Sequence, residues 1–204
     1  MQMDYMKKTL LNTAFVISIG FVPLLLCIQP HPAYGYKRAD VERLLSERDC
    51  PQCNLSGANL KNANLQGINL KGANLKGADL SGAKLGGPPF GGSNLQNANL
   101  ENANLQNANL ENVNLQFANL KGANLSRANL NGANLFGTTL VHANLQNANL
   151  SGVNLGSADL SNANLANTNV QEAQNLLDAN FANAKGLTTW QTVEFYYKGA
   201  LNVP

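Results

Sequence analysis

Two cysteines, Cys50 and Cys53, form a C-x-x-C motif, which is the spacing in this sequence most suited to chemistry. A C-x-x-C near a βαβ pattern indicates redox activity, but no βαβ pattern surrounds this one. In an oxidising compartment the same pair can form a structural disulfide. Three interpretations therefore stay open from the residues: buried structural thiols, a candidate disulfide between Cys50 and Cys53, and redox or metal chemistry.

The other reactive residue types offer no catalytic set. His142 is the only histidine after the N-terminal segment, and it lacks the cysteine or carboxylate neighbours of a metal site. Ser126 and Ser161 have no histidine and aspartate partners for nucleophilic attack. The sequence therefore predicts no catalytic residue, no metal site and no cofactor, and a protein that is not an enzyme.

The N-terminal segment has the order of a secretory signal peptide. Lys7 and Lys8 precede an apolar run at 10–28, and a small-residue stretch, Ala33-Tyr34-Gly35, follows. We expect residues 1–35 to be a signal peptide cleaved after Gly35. An uncleaved membrane anchor is the alternative, and membrane contact is expected only through this segment.

From Leu55 to Leu165 every fifth residue is leucine, with Phe90 as the exception. The residue two before each leucine is usually alanine, and the one directly before it is usually asparagine. A five-residue period suits neither a helix nor a flat strand, so the chain must turn a corner in every pentad to bury its leucines. Leucines twenty residues apart should then stack in one column, with Phe90 as a further core residue; the predicted column is Leu55, Leu75, Leu95, Leu115, Leu135 and Leu155.

Glycine or asparagine recurs two places after most of the leucines, as at Gly57 and Asn62. These residue types tolerate a positive φ, so we place the corners there. The asparagines before the leucines are expected to bond from coil to coil, as in other stacked ladders.

This A-N-L-x-x pattern resembles the pentapeptide-repeat family over roughly residues 53–185. The resemblance implies an all-β solenoid, a right-handed quadrilateral parallel β-helix with leucine and alanine inward. The stretch C-P-x-C followed by x-L-S-G-A-N-L is similar to exported cyanobacterial members, which implies a thylakoid-lumen or periplasmic location.

Both ends of the repeat are predicted to carry short α-helical caps. The N-terminal cap is expected at 36–52, with an amphipathic helix at 39–48. The C-terminal cap is expected at 186–204. Its helix should start at a capping box between Thr188 and Gln191, and Trp190 should plug the end of the solenoid. Val193 and Tyr197 share the helical side of Trp190, and after Val170 the repeat slips by one residue.

The stretch 86–92, Gly-Gly-Pro-Pro-Phe-Gly-Gly, interrupts the pattern without changing its frame. Prolines cannot donate to a backbone ladder, so a bulge or protruding loop is expected, either as a recognition loop or as a degenerate repeat. Deleting residues 86–90 is expected to remove one face and to disturb the stacking.

A few outward positions depart from the polar pattern. Phe117, Phe136 and Val141 replace polar residues and form the candidate partner surface. Glu101 and Lys121 are twenty residues apart and are expected to face each other on adjacent coils.

The leading functional hypothesis is a non-catalytic scaffold that binds protein outside the cytoplasm, with a homodimer through the end caps as a further expectation. Some family members mimic duplex DNA and bind topoisomerases, which requires a densely acidic surface. Between residues 54 and 170 basic side chains outnumber acidic ones, and the whole chain has a net charge of +2, so no nucleic-acid role is expected. A thiol-redox protein using the C-x-x-C is the other alternative.

Overall fold

A computed structural model describes residues 35–88 and 91–204. Apart from Gly35, the predicted signal peptide at 1–35 lies outside the described residues, as does Phe90. The described chain begins with helix α1, Arg38–Glu47, continues as a β-solenoid interrupted late by a short 3-10 helix, Val170–Glu172, and ends with helix α2, Thr189–Tyr197. None of the described helices has the length and apolar character needed to cross a membrane.

The solenoid is built from parallel bridges between successive coils. A regular pentad contributes one bridging residue, the one before its leucine, and in the described residues these bridges are single and do not extend into longer strands. Asn54 pairs with Asn74, twenty residues on, and Asn144 pairs with Asn164. Because twenty residues contain four bridging positions, each regular coil has four faces.

Three backbone hydrogen bonds join the coils at each regular pentad. Leu55 N–H donates to the Asn74 carbonyl at 2.7 Å, Asn74 N–H donates to the Cys53 carbonyl at 2.8 Å, and Gly57 N–H donates to the Lys76 carbonyl at 2.9 Å. The corner residues have positive φ, as at Gly57 (φ 69°), so the predicted placement of the corners is confirmed.

The core consists of the inward leucines and the small residues two places before them. The predicted core leucines are each at most 1% exposed: Leu55, Leu75, Leu95, Leu115, Leu135 and Leu155.

Stacked asparagine side chains join the coils on the outside of the leucine core. Asn74 Nδ2 donates to Asn54 Oδ1 at 3.3 Å, and the same oxygen accepts the Ser56 N–H at 3.2 Å. The expected coil-to-coil asparagine bonds are thus present, and they explain the preference for an amide, which can donate and accept at once.

The predicted leucine column is wrong beyond Leu75. Asn74 pairs with Asn99, twenty-five residues away, so Leu75 lies over Leu100. Leu95 instead continues the column of Leu70, and Leu115, Leu135 and Leu155 follow it. The cause is one coil that contains five pentads.

The extra pentad lies within a single corner. Ser93 N–H donates to the Leu85 carbonyl at 2.8 Å, which is the bond that closes an ordinary corner, as from Ala63 to Leu60 at 3.0 Å. Lys84 and Asn94 are therefore consecutive bridging residues. The faces of Lys84 and Asn94 are neighbours, so the expectation that deleting residues 86–90 removes a face is wrong.

Gln66, from the same corner of the preceding coil, holds the start of this insertion. Its side chain is buried, and Nε2 donates to the carbonyls of Gly86 at 3.0 Å, Gly87 at 3.2 Å and Pro88 at 2.9 Å. The Gln66 side-chain amide thus donates to three backbone carbonyls that accept no hydrogen bond from the regular ladder between coils.

Helix α1 lies over the first coil and begins one residue before the predicted 39–48. Val41 and Leu44 are buried. Asp40 Oδ2 accepts the Asn54 N–H at 2.7 Å, and Lys37 N–H donates to the Asn54 carbonyl at 3.1 Å. These groups bond to Asn54 as a preceding coil does elsewhere.

At the other end, α2 closes the core through Phe195. The register slips as predicted, since Asn154 pairs with Asn175, and α2 starts at the predicted Thr188–Gln191 capping box. Phe195 is fully buried, with its ring centroid 5.1 Å from that of Phe181 in the last leucine slot.

The prediction that Trp190 plugs the solenoid is wrong, because its side chain is 75% exposed. Phe195 packs on the last coil, and this turns the face of α2 that carries Trp190, Val193 and Tyr197 toward solvent.

Candidate functional site

Phe117 occupies a corner position that glycine or asparagine usually fills. It has φ 58° and is the only hydrophobic residue among the non-glycine residues of the described chain with positive φ. A left-handed backbone costs an L-residue roughly 1–2 kcal/mol, and the Phe117 side chain is 52% exposed. Strained backbone positions cluster at functional sites in proteins, which makes Phe117 a candidate binding residue.

The Phe117 ring packs against two residues of the next coil. Its centroid lies 5.6 Å from that of Phe136, with the rings nearly perpendicular at 89°, an edge-to-face arrangement that aromatic pairs favour. The ring also lies over Gly137, where a Cβ atom would be only 2.6 Å from two ring carbons. The predicted neighbours Phe117 and Phe136 therefore do meet.

Val141, the third residue of the candidate partner surface, lies at the next corner of the coil. It is five residues beyond Phe136, with the bridging residue Thr139 between them. We therefore define the aromatic corner as Phe117 and Phe136, and Val141 is not part of it.

A second apolar surface at the C-terminal end was missed by sequence reasoning. Exposed apolar side chains cluster on α2 and beside it: Leu177 57%, Trp190 75%, Val193 47%, Tyr196 72%, Tyr197 83% and Leu201 46%. An open groove of about 560 Å³ is lined partly by Val193, Tyr196 and Tyr197, together with the chain end at Val203 and Pro204. We call this cluster the terminal patch. Its sequence signal was the shared helical side of Trp190, Val193 and Tyr197, which was expected to face the end of the solenoid.

Cys50 and Cys53 are joined as a disulfide, with Cα atoms 5.4 Å apart. Both residues are at most 1% exposed. Arg43 Nη2 lies 3.1 Å from Cys53 Sγ, and the Asp40 carbonyl oxygen lies 3.1 Å from Cys50 Sγ. A reactive C-x-x-C needs an accessible sulfur, whereas α1 covers both sulfurs here, so this geometry argues against a catalytic thiol.

Other candidate chemistry stays dispersed. His142 is an exposed corner residue. Within residues 35–88 and 91–204 no three histidine, cysteine, aspartate or glutamate side chains are grouped to hold a metal ion. Glu101 and Lys121 lie on adjacent coils as expected, since Asn99 pairs with Asn119. The Glu101 carboxylate, however, forms its ion pair with Lys76, at 3.0 Å.

The chain matches the family model for pentapeptide repeats in eight copies, over residues 53–87, 93–132, 128–167 and 143–174. These ranges cover more than half of the chain. The uncovered residues 88–92 fall in the corner that holds the insertion.

Solved pentapeptide repeat proteins are among the structures similar to this chain. Rfr23 from the cyanobacterium Cyanothece 51142 is 30% identical, covering 72% of this chain and 92% of its own, with a TM-score of 0.46. A protein of the Arabidopsis thaliana thylakoid lumen is 29% identical, covering 64% and 80%, with a TM-score of 0.30. HetL from Nostoc sp. strain PCC 7120, involved in heterocyst differentiation regulation, is 32% identical, covering 76% and 72%, with a TM-score of 0.20. No curated protein matches the chain significantly in sequence.

Proposed function

The chain belongs to the pentapeptide-repeat family, and from that premise we propose that it is a non-catalytic scaffold that binds another protein outside the cytoplasm. The solenoid, which we take to be right-handed and capped by α1 and α2, supplies a rigid rod. The N-terminal signal-like pattern and the disulfide support a lumenal or periplasmic location, since disulfides persist in oxidising compartments.

The aromatic corner carries this proposal. Phe117 keeps an unfavourable left-handed backbone and exposes half of its ring on a solenoid whose corners are otherwise mostly polar or glycine. Asparagine at the same position would relieve the backbone and still fit, because Asn102 lies over Gly122 in the same way. Retaining phenylalanine is explained by a partner that uses the ring as an anchor, as aromatic residues do in protein interfaces.

Affinity capture with the tagged mature protein from its own compartment tests the proposal. A direct partner should bind the wild-type protein and be lost with F117N, which places the common corner residue there and preserves the fold. R127N, two corners further along the coil, is the matched control and should retain the partner. If the wild-type protein and F117N capture the same proteins equally, the aromatic corner is not the binding surface.

The terminal patch favours a second proposal, a homodimer through the C-terminal cap. Aromatic side chains bury about 150–250 Å² each, so Trp190, Tyr196 and Tyr197 offer roughly 400 Å² at their exposures. A standard interface buries about 800 Å² per partner, and the other residues of the patch can supply much of the rest. Sedimentation equilibrium should show a dimer that W190A/Y197A dissociates and F117N does not.

A further inference from the structure

The disulfide replaces the ordinary core pair of a pentad at the one place where the core meets α1. Cys53 N–H donates to the Cys50 carbonyl at 3.3 Å, as Ala58 N–H does to Leu55 at 3.0 Å. Cys50 thus fills a leucine slot and Cys53 an alanine slot. All the other pentads that the structure describes between residues 54 and 165 fill these slots without a cross-link.

General stabilisation explains this cross-link poorly. The two cysteines are three positions apart, and closing so short a loop removes less entropy from the unfolded chain than closing a long one does. The contacts of the disulfide are more informative than its loop length.

The hydrogen bonds of Asp40 and Arg43 fasten α1 to the pentad that holds the disulfide. Arg43 Nη2 donates to the Pro51 carbonyl at 2.8 Å and lies against Cys53 Sγ. The Asp40 carboxylate accepts the Asn54 N–H, and its carbonyl oxygen touches Cys50 Sγ. The conformation of residues 50–54 therefore determines how α1 docks.

We infer that the Cys50–Cys53 disulfide is a redox latch that holds α1 on the first coil. Because α1 covers both sulfurs, a dithiol reductant reaches them only during a local opening of α1. It then breaks the S–S bond and delivers two electrons and two protons. Cys50 and Cys53 become thiols, and the reductant becomes a disulfide. Without the S–S bond the conformation of residues 50–54 is no longer fixed, so the Pro51 carbonyl and the Asn54 N–H can move away from Arg43 and Asp40, and α1 is released.

Release of α1 bares the first coil. The N–H and carbonyl of Asn54 lose their partners, and Val41 and Leu44 leave the core. An exposed coil edge can pair with another chain, so the latch links the redox state of the compartment to the accessibility of this end. The inference does not depend on the aromatic corner or on the identity of a partner.

Hydrogen exchange read by mass spectrometry tests the latch on the mature protein, with the disulfide intact and after reduction by a phosphine. We expect amides of 38–47 to exchange at least about ten-fold faster after reduction, as in a local opening. Amides of the coils from Leu95 to Leu165 should keep their protection. Equal protection of α1 in both states overturns the latch, as does a reduction that proceeds only with exchange of the whole solenoid.

Two double variants separate the cross-link from packing. C50S/C53S should exchange α1 rapidly with or without reductant. C50L/C53A restores the leucine–alanine pair of the other pentads, so α1 should stay protected and become insensitive to reductant. Protection of α1 in C50S/C53S equal to that of the oxidised protein also overturns the latch.

Discussion

Lys76 and Glu101 are twenty-five residues apart in sequence, yet Lys76 Nζ lies 3.0 Å from Glu101 Oε2 on the adjacent coil. Half-exposed ion pairs of this kind contribute little to stability. The pair nevertheless shows that the coil between Lys76 and Glu101 holds five pentads, in agreement with the bridge from Asn74 to Asn99.

Deleting residues 86–90 should leave the solenoid intact. Leu85 then joins Gly91-Gly92-Ser93, which restores an ordinary pentad corner, and Lys84 and Asn94 remain consecutive bridging residues. The deletion is combined with Q66S, which places the serine of other pentads at this position, because the deletion removes the carbonyls of Gly86, Gly87 and Pro88 to which the buried Gln66 amide donates. Shortening a loop changes its closure entropy by about 1 kcal/mol, so the free energy of unfolding should then stay within about that amount of wild type. Guanidinium unfolding followed by circular dichroism measures it.

Deletion of the regular pentad 106–110 is the matched control. It removes the buried side chain of Leu110 and the bridge at Asn109, so it should destabilise the protein by at least about 2 kcal/mol. If both deletions prove equally harmful, residues 86–90 support the stacking after all.

Gly137 should be more sensitive to alanine than Gly77. Both have positive φ, 65° and 64°, so alanine meets a similar backbone penalty at each. A Cβ at Gly137 also collides with the Phe117 ring, whereas nothing lies within 4 Å at Gly77. We expect G137A to lower the free energy of unfolding by about 1 kcal/mol more than G77A does, the lower range for overpacking.

The double variant F117G/G137A checks this cause. Removal of the ring should abolish the excess penalty at Gly137, because a double-mutant cycle isolates the contact between the two positions. If the effects of F117G and G137A on the free energy of unfolding simply add, the Phe117 ring does not pack on Gly137.

Truncation to alanine should lower the free energy of unfolding far more at Phe195 than at Trp190. Phe195 is buried on Phe181, so F195A should lower the free energy of unfolding by about 3–5 kcal/mol. Trp190 projects into solvent, and W190A should change it by no more than about 0.5 kcal/mol. Thermal unfolding at a protein concentration below that of any self-association separates the two, and a large loss for W190A would restore it as the plug.

The repeating core could be predicted from the sequence because each pentad fulfils the same local rule. Leu55 is inward, Ala58 is inward and Gly57 turns the corner whatever the neighbouring coils contain. The pairing of Phe117 with Phe136 followed as well, since both residues lie after the insertion, where coils have twenty residues.

The pairing of Leu75 with Leu100 could not be predicted in the same way. A five-residue insertion preserves the leucine frame, so the sequence has the same period whether residues 86–90 form a face or a loop. The orientation of α2 could not be predicted for another reason. Trp190 and Phe195 lie on different sides of the helix, so either side could face the core. Phe195 faces it because its ring packs on Phe181, which occupies the last leucine position.

Thr139 interrupts an asparagine ladder, and T139N should repair it. Asn119, one coil earlier, donates its Nδ2 to Asn99 Oδ1 at 3.3 Å and accepts the Lys121 N–H at 3.1 Å. Asparagine at position 139 can form both equivalent bonds, to Asn119 Oδ1 and from the Val141 N–H. A net gain of about 1 kcal/mol is expected from bonds of this kind, measured as a higher guanidinium midpoint. N119T is the converse variant and should lose a similar amount, whereas T139S should change little. A ladder without energetic value would leave the midpoints of T139N and N119T unchanged.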